Sequence, residues 1–513
     1  MSLRRSAAAS YGSQIYVSVV AVLMLPAYVR YLGPEGYGLV GIFIAMQGWF
    51  LALDFGLSAL LTHQVARWRG GVGRLKAVTE SLRRLEGRFA VVATIALLVA
   101  LTCSPYVADH WLKRDVLPTQ TVSRALVLIC AVCMARWLAG IYRGIVSGLE
   151  QLGRLGALTA ISASMRFIVV VPVMAWADDA VSAFFWFQLA VSVIESAAIA
   201  WLARRGLAAA GRQPAPAMQS EAPKATGLGW QMALATIGWL AATQADRLLL
   251  SRLLPLSDFG HFSLALAVAG GIVMLTAPAG QALMPRMSRL EAAGDQPGLR
   301  KLYSTATQAV VVVASTLTAT LAVCAGPILW AWTGDRDIAA RTEPLLVPYA
   351  IGNGLLAIGT LPYYLQFARG DLRLHNIGTG ILIAVLLPGM CIAAPRWGAQ
   401  GTGTVWAAAM ALYLLLWTPV VHHRHLPGAA WTWLARDVAP VVMAAAAMAA
   451  ASWALLPRAA QGRVEQLASI AATATLVTTA AVVASPWARS MVKAAVRSAR
   501  LRRGSPGKEG TRR

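Results

Sequence analysis

The chain has 513 residues, of which 58% are hydrophobic and 13% charged, and its mean hydropathy is +0.60. So little polar surface excludes a soluble globular protein of this size and indicates an integral membrane protein. The formal net charge of +23 does not indicate nucleic-acid binding, because no aromatic and basic surface accompanies it. In so apolar a chain, basic residues are typical of loops that face the cytoplasm and anionic membrane lipids.

Apolar segments long enough to cross a membrane recur along the whole chain. A spanning helix needs about 20 apolar residues, and this length predicts fourteen spans. The first follows a basic start and is longer than the apolar core of a signal peptide, so we expect a retained helix. In chain order the predicted spans are 11–32, 37–61, 89–108, 121–146, 155–176, 180–203, 228–253, 259–283, 305–332, 344–367, 375–394, 398–421, 436–456 and 465–486.

The spacing of these spans predicts an all-α polytopic membrane protein with two six-helix lobes and two additional C-terminal helices. Residues 1–205 would form the N-terminal lobe and residues 227–425 the C-terminal lobe. Between them, 206–226 is rich in proline, alanine and glycine, which is typical of a linker. Residues 426–488 hold the two additional transmembrane helices, and 489–513 form a basic tail.

Positive charge is distributed unevenly across the predicted membrane. With both termini on one side, that side holds 30 of the 45 lysines and arginines, the opposite side holds 7, and eight lie within the predicted spans. Positively charged loops stay in the cytoplasm. We therefore expect both termini, the linker and the basic segment 67–88 to be cytoplasmic.

A nine-residue stretch between the first two spans, RYLGPEGYG, is echoed 222 positions later by RLLPLSDFG. Both copies connect consecutive spans on the same predicted side, so the repeat is parallel, with its axis along the membrane normal. Such a repeat builds two lobes that face each other across a cavity, and transporters of this design work by alternating access. The identities in register are Arg30/Arg252, Leu32/Leu254, Gly38/Gly260, Ala45/Ala267, Gly48/Gly270, Leu53/Leu275, Leu61/Leu283 and Arg67/Arg289.

The residues around both copies resemble the polysaccharide-biosynthesis flippases of bacteria. YLGPEGYGLVGIFIAMQGWFLALDFGLSALLTHQVAR is similar to their opening, and QADRLLLSRLLPLSDFGHFSLALAVAGG is similar to the start of their second half. These flippases belong to the multidrug, oligosaccharidyl-lipid and polysaccharide exporter superfamily. The resemblance implies that the chain translocates an undecaprenyl-diphosphate-linked oligosaccharide, such as an O-antigen, capsule or exopolysaccharide repeat unit, across the bacterial inner membrane. It also implies a polysaccharide polymerase and export machinery as partners.

Three alternatives to an oligosaccharide flippase stay open. A peptidoglycan-precursor flippase shares the plan of fourteen spans, and a drug/cation antiporter belongs to the same superfamily. Arginines within spans favour an anionic load over a cationic one. A membrane glycan polymerase or ligase would have one long outer catalytic loop, whereas every predicted outer loop is short, so we expect a protein that is not an enzyme.

Three arginines of the first lobe are candidates for binding a diphosphate. A diphosphate that crosses the membrane needs cationic partners, preferably guanidinium groups that bind oxygens in pairs. Arg136 and Arg143 share one helical stripe, and Arg166 would lie near the depth of Arg136. Glu195, on the sixth span, is their candidate charge partner. The pattern therefore fits either an anion site or a structural ion pair, and both interpretations stay open.

The first predicted span of the second lobe contains two adjacent charged residues, Asp246 and Arg247. Arg247 is a further candidate for the diphosphate, and Asp246 is a candidate partner that neutralises it. Asp54, in the second span, has three alternative roles. It accepts hydrogen bonds from backbone groups left without helical partners near Gly56, it pairs with an arginine, or it binds a coupling ion. These alternatives are open at the level of sequence.

Metal and cofactor sites are not predicted. The cysteines lie inside apolar runs, including Cys130 and Cys133 in LVLICAVCMARW, where cysteine behaves as a small hydrophobic residue. The stretch HHRH, from His422 to His425, is interpreted as a solvated rim at the inner end of a span.

Overall fold

The computed structural model describes residues 3–52, 57–69, 75–211, 228–455 and 462–491. Within these ranges the chain is almost entirely helical and forms no strand. Most of the predicted linker, residue Asp54 and the basic tail from residue 492 onwards lie outside the described residues. Four π-helical turns interrupt the helices, at Val107–Trp111, Met165–Val169, Tyr413–Trp417 and Trp433–Val438.

The helices follow the predicted spans closely. In chain order they are α1 (Leu3–Ala52), α2 (Leu57–Arg69), α3 (Leu75–Tyr106), α4 (Thr119–Gly148), α5 (Leu152–Ser164), α6 (Val170–Trp176), α7 (Ala180–Ala210), α8 (Leu228–Leu253), α9 (Leu256–Ala292), α10 (Gln296–Thr333), α11 (Arg336–Ala368), α12 (Arg373–Leu412), α13 (Thr418–His425), α14 (Ala430–Thr432), α15 (Ala439–Leu455) and α16 (Arg463–Ala484). The all-α polytopic fold is therefore confirmed.

Eleven helical segments of the described chain are long and apolar enough to cross a membrane. Two of them are broken by a glycine with positive φ, Gly33 (φ 69°) and Gly398 (φ 56°), where the left-handed backbone suits a residue without Cβ. Each of these two segments overlaps a pair of predicted spans. Helix α8, which carries Asp246 and Arg247, is not among the eleven, so the number of fourteen spans stays a prediction.

The chain divides into two compact units. The first comprises Met1–Leu264 and Leu387–Ala399, and the second comprises Ala265–Leu386 and Gln400–Arg513. The boundary falls within α9 and not at the linker, because α8 and the start of α9 pack with the N-terminal helices. These units do not coincide with the predicted six-helix lobes, whose bounds stay a prediction based on the repeat.

In the first unit, the two copies of the repeat contact each other through equivalent positions. A Cβ added at Gly38 would lie 2.3 Å from the carbonyl oxygen of Leu256, and one added at Gly260 would lie 2.1 Å from that of Pro34. Pro34 and Leu256 are themselves equivalent in the repeat. The contact is therefore reciprocal, and glycine is required on both sides because real Cβ atoms do not approach other atoms so closely.

Glu35, next to this contact, holds the loop between α3 and α4. The residue is 6% exposed, and its two carboxylate oxygens accept hydrogen bonds from the backbone N–H groups of Asp115 (2.5 Å), Val116 (3.0 and 3.1 Å) and Leu117 (2.7 Å). A buried carboxylate is stable only when its oxygens are bonded in this way. The glutamate of the LGPEGYG turn thus joins the kink of α1 to a loop about eighty residues away in the chain.

The same loop also joins the turn between α8 and α9. The backbone N–H of Leu256 donates to the carbonyl of Lys113 (2.7 Å), and the Lys113 ammonium donates to the carbonyl of Leu253 (2.9 Å). The Trp111 indole donates to Ser251 (3.1 Å), and the Arg252 guanidinium stacks over the indole ring, 5.2 Å from its centroid. One end of the first unit is therefore closed by polar contacts around the two repeated turns.

In the second unit, the start of α10 binds three later segments of the chain. The Tyr303 hydroxyl lies 2.7 Å from His422 Nε2, and Gln308 donates to Asp437 (2.7 Å) and accepts from Ser485 (2.9 Å). His422 and His425 are buried. The interpretation of the whole HHRH stretch as a solvated rim is therefore wrong, because on this helix His422 and His425, three positions apart, pack inward and only the two residues between them are exposed.

Candidate functional site

The predicted arginines meet inside the first unit, and the innermost of them is Arg166. It lies on the π-helical turn Met165–Val169, between α5 and α6, and its side chain is buried. The guanidinium Nη2 donates to Glu195 Oε2 and to Ser192 Oγ (3.2 Å) on α7. Its Nε is buried and has no hydrogen-bond partner. π-helical turns are frequent at functional sites, and Arg166 lies on one of them.

Glu195 is shared between two arginines. Arg143, on α4, donates to Glu195 Oε1, the oxygen that Arg166 does not use, and its second nitrogen lies 3.5 Å from the Thr159 hydroxyl. The Glu195 side chain is 3% exposed, whereas 36% of the Arg143 side chain remains exposed. The three groups carry a net charge of +1, so the carboxylate fixes both guanidiniums without cancelling their charge.

Arg136 joins the same electrostatic cluster without a carboxylate of its own. It lies two helical turns before Arg143 on α4 and interacts electrostatically with Arg166, Glu195 and Arg143. Its guanidinium donates to the amide oxygen of Gln47, on the second half of α1. Among the described residues this is its only hydrogen bond. Four charged groups, Arg136, Arg143, Arg166 and Glu195, thus give a net charge of +2.

Arg247 lies on helix α8, whose Gln244 packs against the second half of α1. Its Nη1 donates to Gln244 Oε1 (3.2 Å), and its backbone N–H donates to Asp246 Oδ1 (2.7 Å). A Cβ added at Gly48 would lie 2.8 Å from Gln244 Nε2. Gln47 and Gly48 are adjacent, so this segment of α1 supplies the amide that accepts from Arg136 of α4 and also lies against the Gln244 amide of α8.

The structure thus brings together most of the residues predicted from the sequence. Arg143, Arg166 and Glu195 are in direct contact, and Arg136 is close to them. The pairing of Arg166 with Glu195 was expected, whereas the sharing of Glu195 with Arg143 was not. Asp54 lies outside the described residues.

Two residues of this site were missed by the sequence analysis, Gln47 and Gln244. Both are uncharged, so a search for intramembrane charges passes over them. A polar amide within a predicted span was nevertheless a usable signal, since such a group needs a hydrogen-bond partner at that depth.

The arrangement is suited to an anion with two charges. Burying two guanidiniums beside one carboxylate is unfavourable unless further hydrogen bonds or an anion compensate the remaining charge. Guanidiniums also bind phosphate oxygens through paired hydrogen bonds. The cluster therefore combines a net positive charge with guanidinium donors of the kind that bind phosphate oxygens.

The family model described as polysaccharide biosynthesis protein matches residues 3–291, more than half of the chain. The chain belongs to the polysaccharide biosynthesis protein family. The match includes every residue of the arginine cluster and both repeated turns.

Within the polysaccharide biosynthesis family, a relative from Yersinia pseudotuberculosis named "Putative O-antigen export protein" is 28% identical over 111 residues. This match covers 21% of the chain and 24% of the relative, so the chain spans only about a quarter of that protein's length.

Solved structures show the fold of this family member. The structure of the lipid II flippase MurJ in an inward closed conformation aligns with 94% of the present chain and 99% of the MurJ chain. The TM-score is 0.68 and the sequence identity is 10%. The structure of a multidrug resistance MATE family transporter of the MOP superfamily, in an inward-facing conformation, aligns with 79% of the present chain and 94% of the transporter chain. The TM-score is 0.63 and the sequence identity is 15%. The chain is therefore a multi-pass membrane protein with the fold of these transporters.

Proposed function

We propose that this protein is a flippase that translocates an undecaprenyl-diphosphate-linked oligosaccharide across the bacterial inner membrane by alternating access. The observation that carries the proposal is the cluster of Arg136, Arg143 and Arg166 around one glutamate in the membrane-spanning helices. The diphosphate of such a lipid is a diester with two negative charges, which match the net charge of the cluster. The family description, polysaccharide biosynthesis protein, supports a glycan as the cargo.

The route of the charged headgroup follows from the cost of burying charge. A diphosphate without partners is excluded from hydrocarbon, so the headgroup would travel through a watered cavity lined by the arginine cluster while its isoprenoid chain stays in lipid. Glu195 has the role of holding Arg143 and Arg166 apart and pre-oriented. The free Nε of Arg166 and the exposed part of Arg143 would then bind phosphate oxygens.

Alternating access requires that the two ends of the cavity open in turn. The contacts of Gly38 with Leu256 and of Gly260 with Pro34, together with the Lys113 loop, support a state in which one end is closed. By the distribution of positive charge, this end faces the periplasm and both termini face the cytoplasm. In this proposal the substrate enters from the cytoplasmic leaflet, and opening of these contacts releases it.

A peptidoglycan-precursor flippase is the second candidate function. Its support is the similarity of fold to MurJ over 94% of the chain. Both candidates share a diphosphate-linked lipid, so the arginine cluster does not distinguish between them. The two candidate functions differ in the saccharide that is attached to the diphosphate.

The proposal is tested with purified protein in liposomes. Two fluorescent probes are compared, undecaprenyl-diphosphate-linked N-acetylglucosamine and the same lipid linked to a muramyl pentapeptide disaccharide. We expect flipping of the first probe, with a marked loss in the Arg166→Ala variant. Faster flipping of the second probe would favour the peptidoglycan precursor, and failure to flip either probe would contradict the proposal.

A further inference from the structure

Gln47 is the partner of Arg136, and it differs from the partner of the other two arginines in charge. Arg143 and Arg166 are held by a carboxylate, whereas Arg136 is held by an amide oxygen. An amide accepts the same hydrogen bond and fixes the same guanidinium, but it leaves the charge intact. A carboxylate in its place would be nearly identical in shape and would remove one unit of positive charge from the cluster.

We propose that Gln47 is a positioning residue that orients Arg136 towards the diphosphate while preserving its charge. The inference rests on the proposed function and names a residue that sets the charge preference of the site. With Gln47 the cluster carries +2 and is complementary to a diphosphate diester. With a carboxylate at the same position it would carry +1 and be complementary to a monophosphate diester.

The surroundings of Gln47 support a positioning role. The next residue, Gly48, lies against Gln244, and Gln244 accepts a hydrogen bond from Arg247. Two arginines, from α4 and α8, thus each donate to a glutamine: Gln47 is itself a residue of α1, and Gln244 of α8 lies against Gly48, the next residue of α1. Neither amide is charged, so this segment contributes orientation and no countercharge.

The experiment compares Gln47→Glu with Gln47→Ala in the purified full-length protein. The control is Gln400→Glu, which introduces the same carboxylate at an exposed position of α12 outside the cluster. The probes are farnesyl-diphosphate-linked and farnesyl-monophosphate-linked N-acetylglucosamine, whose headgroups differ by one charge. Binding affinity is measured for each protein with each probe, and thermal stability is recorded in parallel.

The electrostatic and the structural explanation predict opposite orders of diphosphate affinity for the Gln47→Glu and Gln47→Ala variants. If Gln47 preserves charge, Gln47→Glu weakens diphosphate binding by about tenfold or more, a larger loss than in Gln47→Ala, because a buried countercharge acts at close range in a low dielectric. The loss is smaller for the monophosphate probe, and Gln400→Glu binds like the wild type. If Gln47 only fills space, Gln47→Ala is the weaker binder, since truncation removes more of the side chain.

Each outcome separates the inference from the function on which it rests. Wild-type protein that does not bind the diphosphate probe overturns both. Wild-type binding with Gln47→Glu unchanged, or with Gln47→Ala weaker than Gln47→Glu at equal thermal stability, overturns the role of Gln47 and leaves the proposed function standing.

Discussion

Gly38 and Gly260 are equivalent residues of an internal repeat, and each lies against the turn that contains the other. A Cβ added at Gly260 would be 3.2 Å from the backbone nitrogen of Gly38 and 2.1 Å from the carbonyl oxygen of Pro34. Because both obstacles are backbone atoms, no rotamer change can relieve them. The two turns that the sequence repeats are therefore the two surfaces that meet.

The first prediction concerns this contact. Gly260→Ala should destabilise the closed end of the first unit by about 1–3 kcal/mol, since an overpacked contact forces backbone shifts. Gly270→Ala is the matched control on the same helix, because nothing lies within 4 Å of a Cβ added there and alanine favours a helix. Thermal unfolding of both variants in detergent measures the effect. Equal melting temperatures would contradict the close approach.

The second prediction concerns Glu35. In Glu35→Gln one acceptor oxygen is replaced by an NH₂ group, which would face the N–H of Val116 or Leu117 and cannot accept from it. We expect a loss of stability of about 2 kcal/mol, since a hydrogen bond to a charged group is worth roughly 1.5–3 kcal/mol. Glu343→Gln, at an exposed position, is the control. A melting temperature that falls equally in both variants would show that the bonds of Glu35 contribute nothing specific.

Most of the fold was predictable because membrane-spanning helices are encoded by composition and length. The break at Gly33 falls between two predicted spans and the break at Gly398 falls at the first residue of one, so both lie where the sequence already showed a turn or a short polar connection. The role of Glu35 was not predictable, because its three donors lie about eighty residues away and carry no side-chain signal. The grouping of α8 with the N-terminal helices was also missed, since it depends on glycine contacts between distant segments.

The site was predictable in part for the same reason. Charges within spans identify Arg136, Arg166 and Glu195, because such residues are rare at that depth and need partners. The division of Glu195 between Arg143 and Arg166 depends on the directions of long side chains, which spacing along the chain does not specify. The amide of Gln47 has no charge and therefore was not found.

The third prediction separates a binding site from a structural ion pair at Glu195. Glu195→Ala should lower the protein level more than Arg166→Ala, because it leaves the buried guanidinium of Arg166 and the partly exposed one of Arg143 without a countercharge, and breaking a buried pair costs about 3–5 kcal/mol. Glycan export is then compared in Arg166→Ala and in the double variant Arg166→Ala/Glu195→Ala. Loss of export in both at normal protein level supports diphosphate binding. Recovery of export in the double variant would mean that Arg166 only neutralises Glu195.

The fourth prediction concerns orientation in the membrane. Single cysteines at Val116, which is 84% exposed, and at Gly70 and Gly504 are labelled in intact cells with an impermeant reagent, in a background without the five native cysteines. We expect only the Val116 position to react, because positively charged segments stay in the cytoplasm. Permeabilised cells, in which all three positions should react, are the control. Labelling at Gly70 in intact cells would reverse the proposed orientation.

The last prediction concerns the driving force and the pair Asp246 and Arg247. An inside-negative potential of 100 mV favours outward movement of each negative charge by about 2.3 kcal/mol, so an uncompensated diphosphate would gain roughly 4–5 kcal/mol. The empty protein must then return, and we expect the buried Asp246 to neutralise Arg247 when no diphosphate is present. Asp246→Asn should therefore retain substrate affinity and slow turnover, whereas Arg247→Ala should weaken affinity itself. Both are measured in liposomes with an imposed potential. Equal loss of affinity in the two variants would contradict the role of Asp246, and flipping that ignores the potential would contradict the driving force.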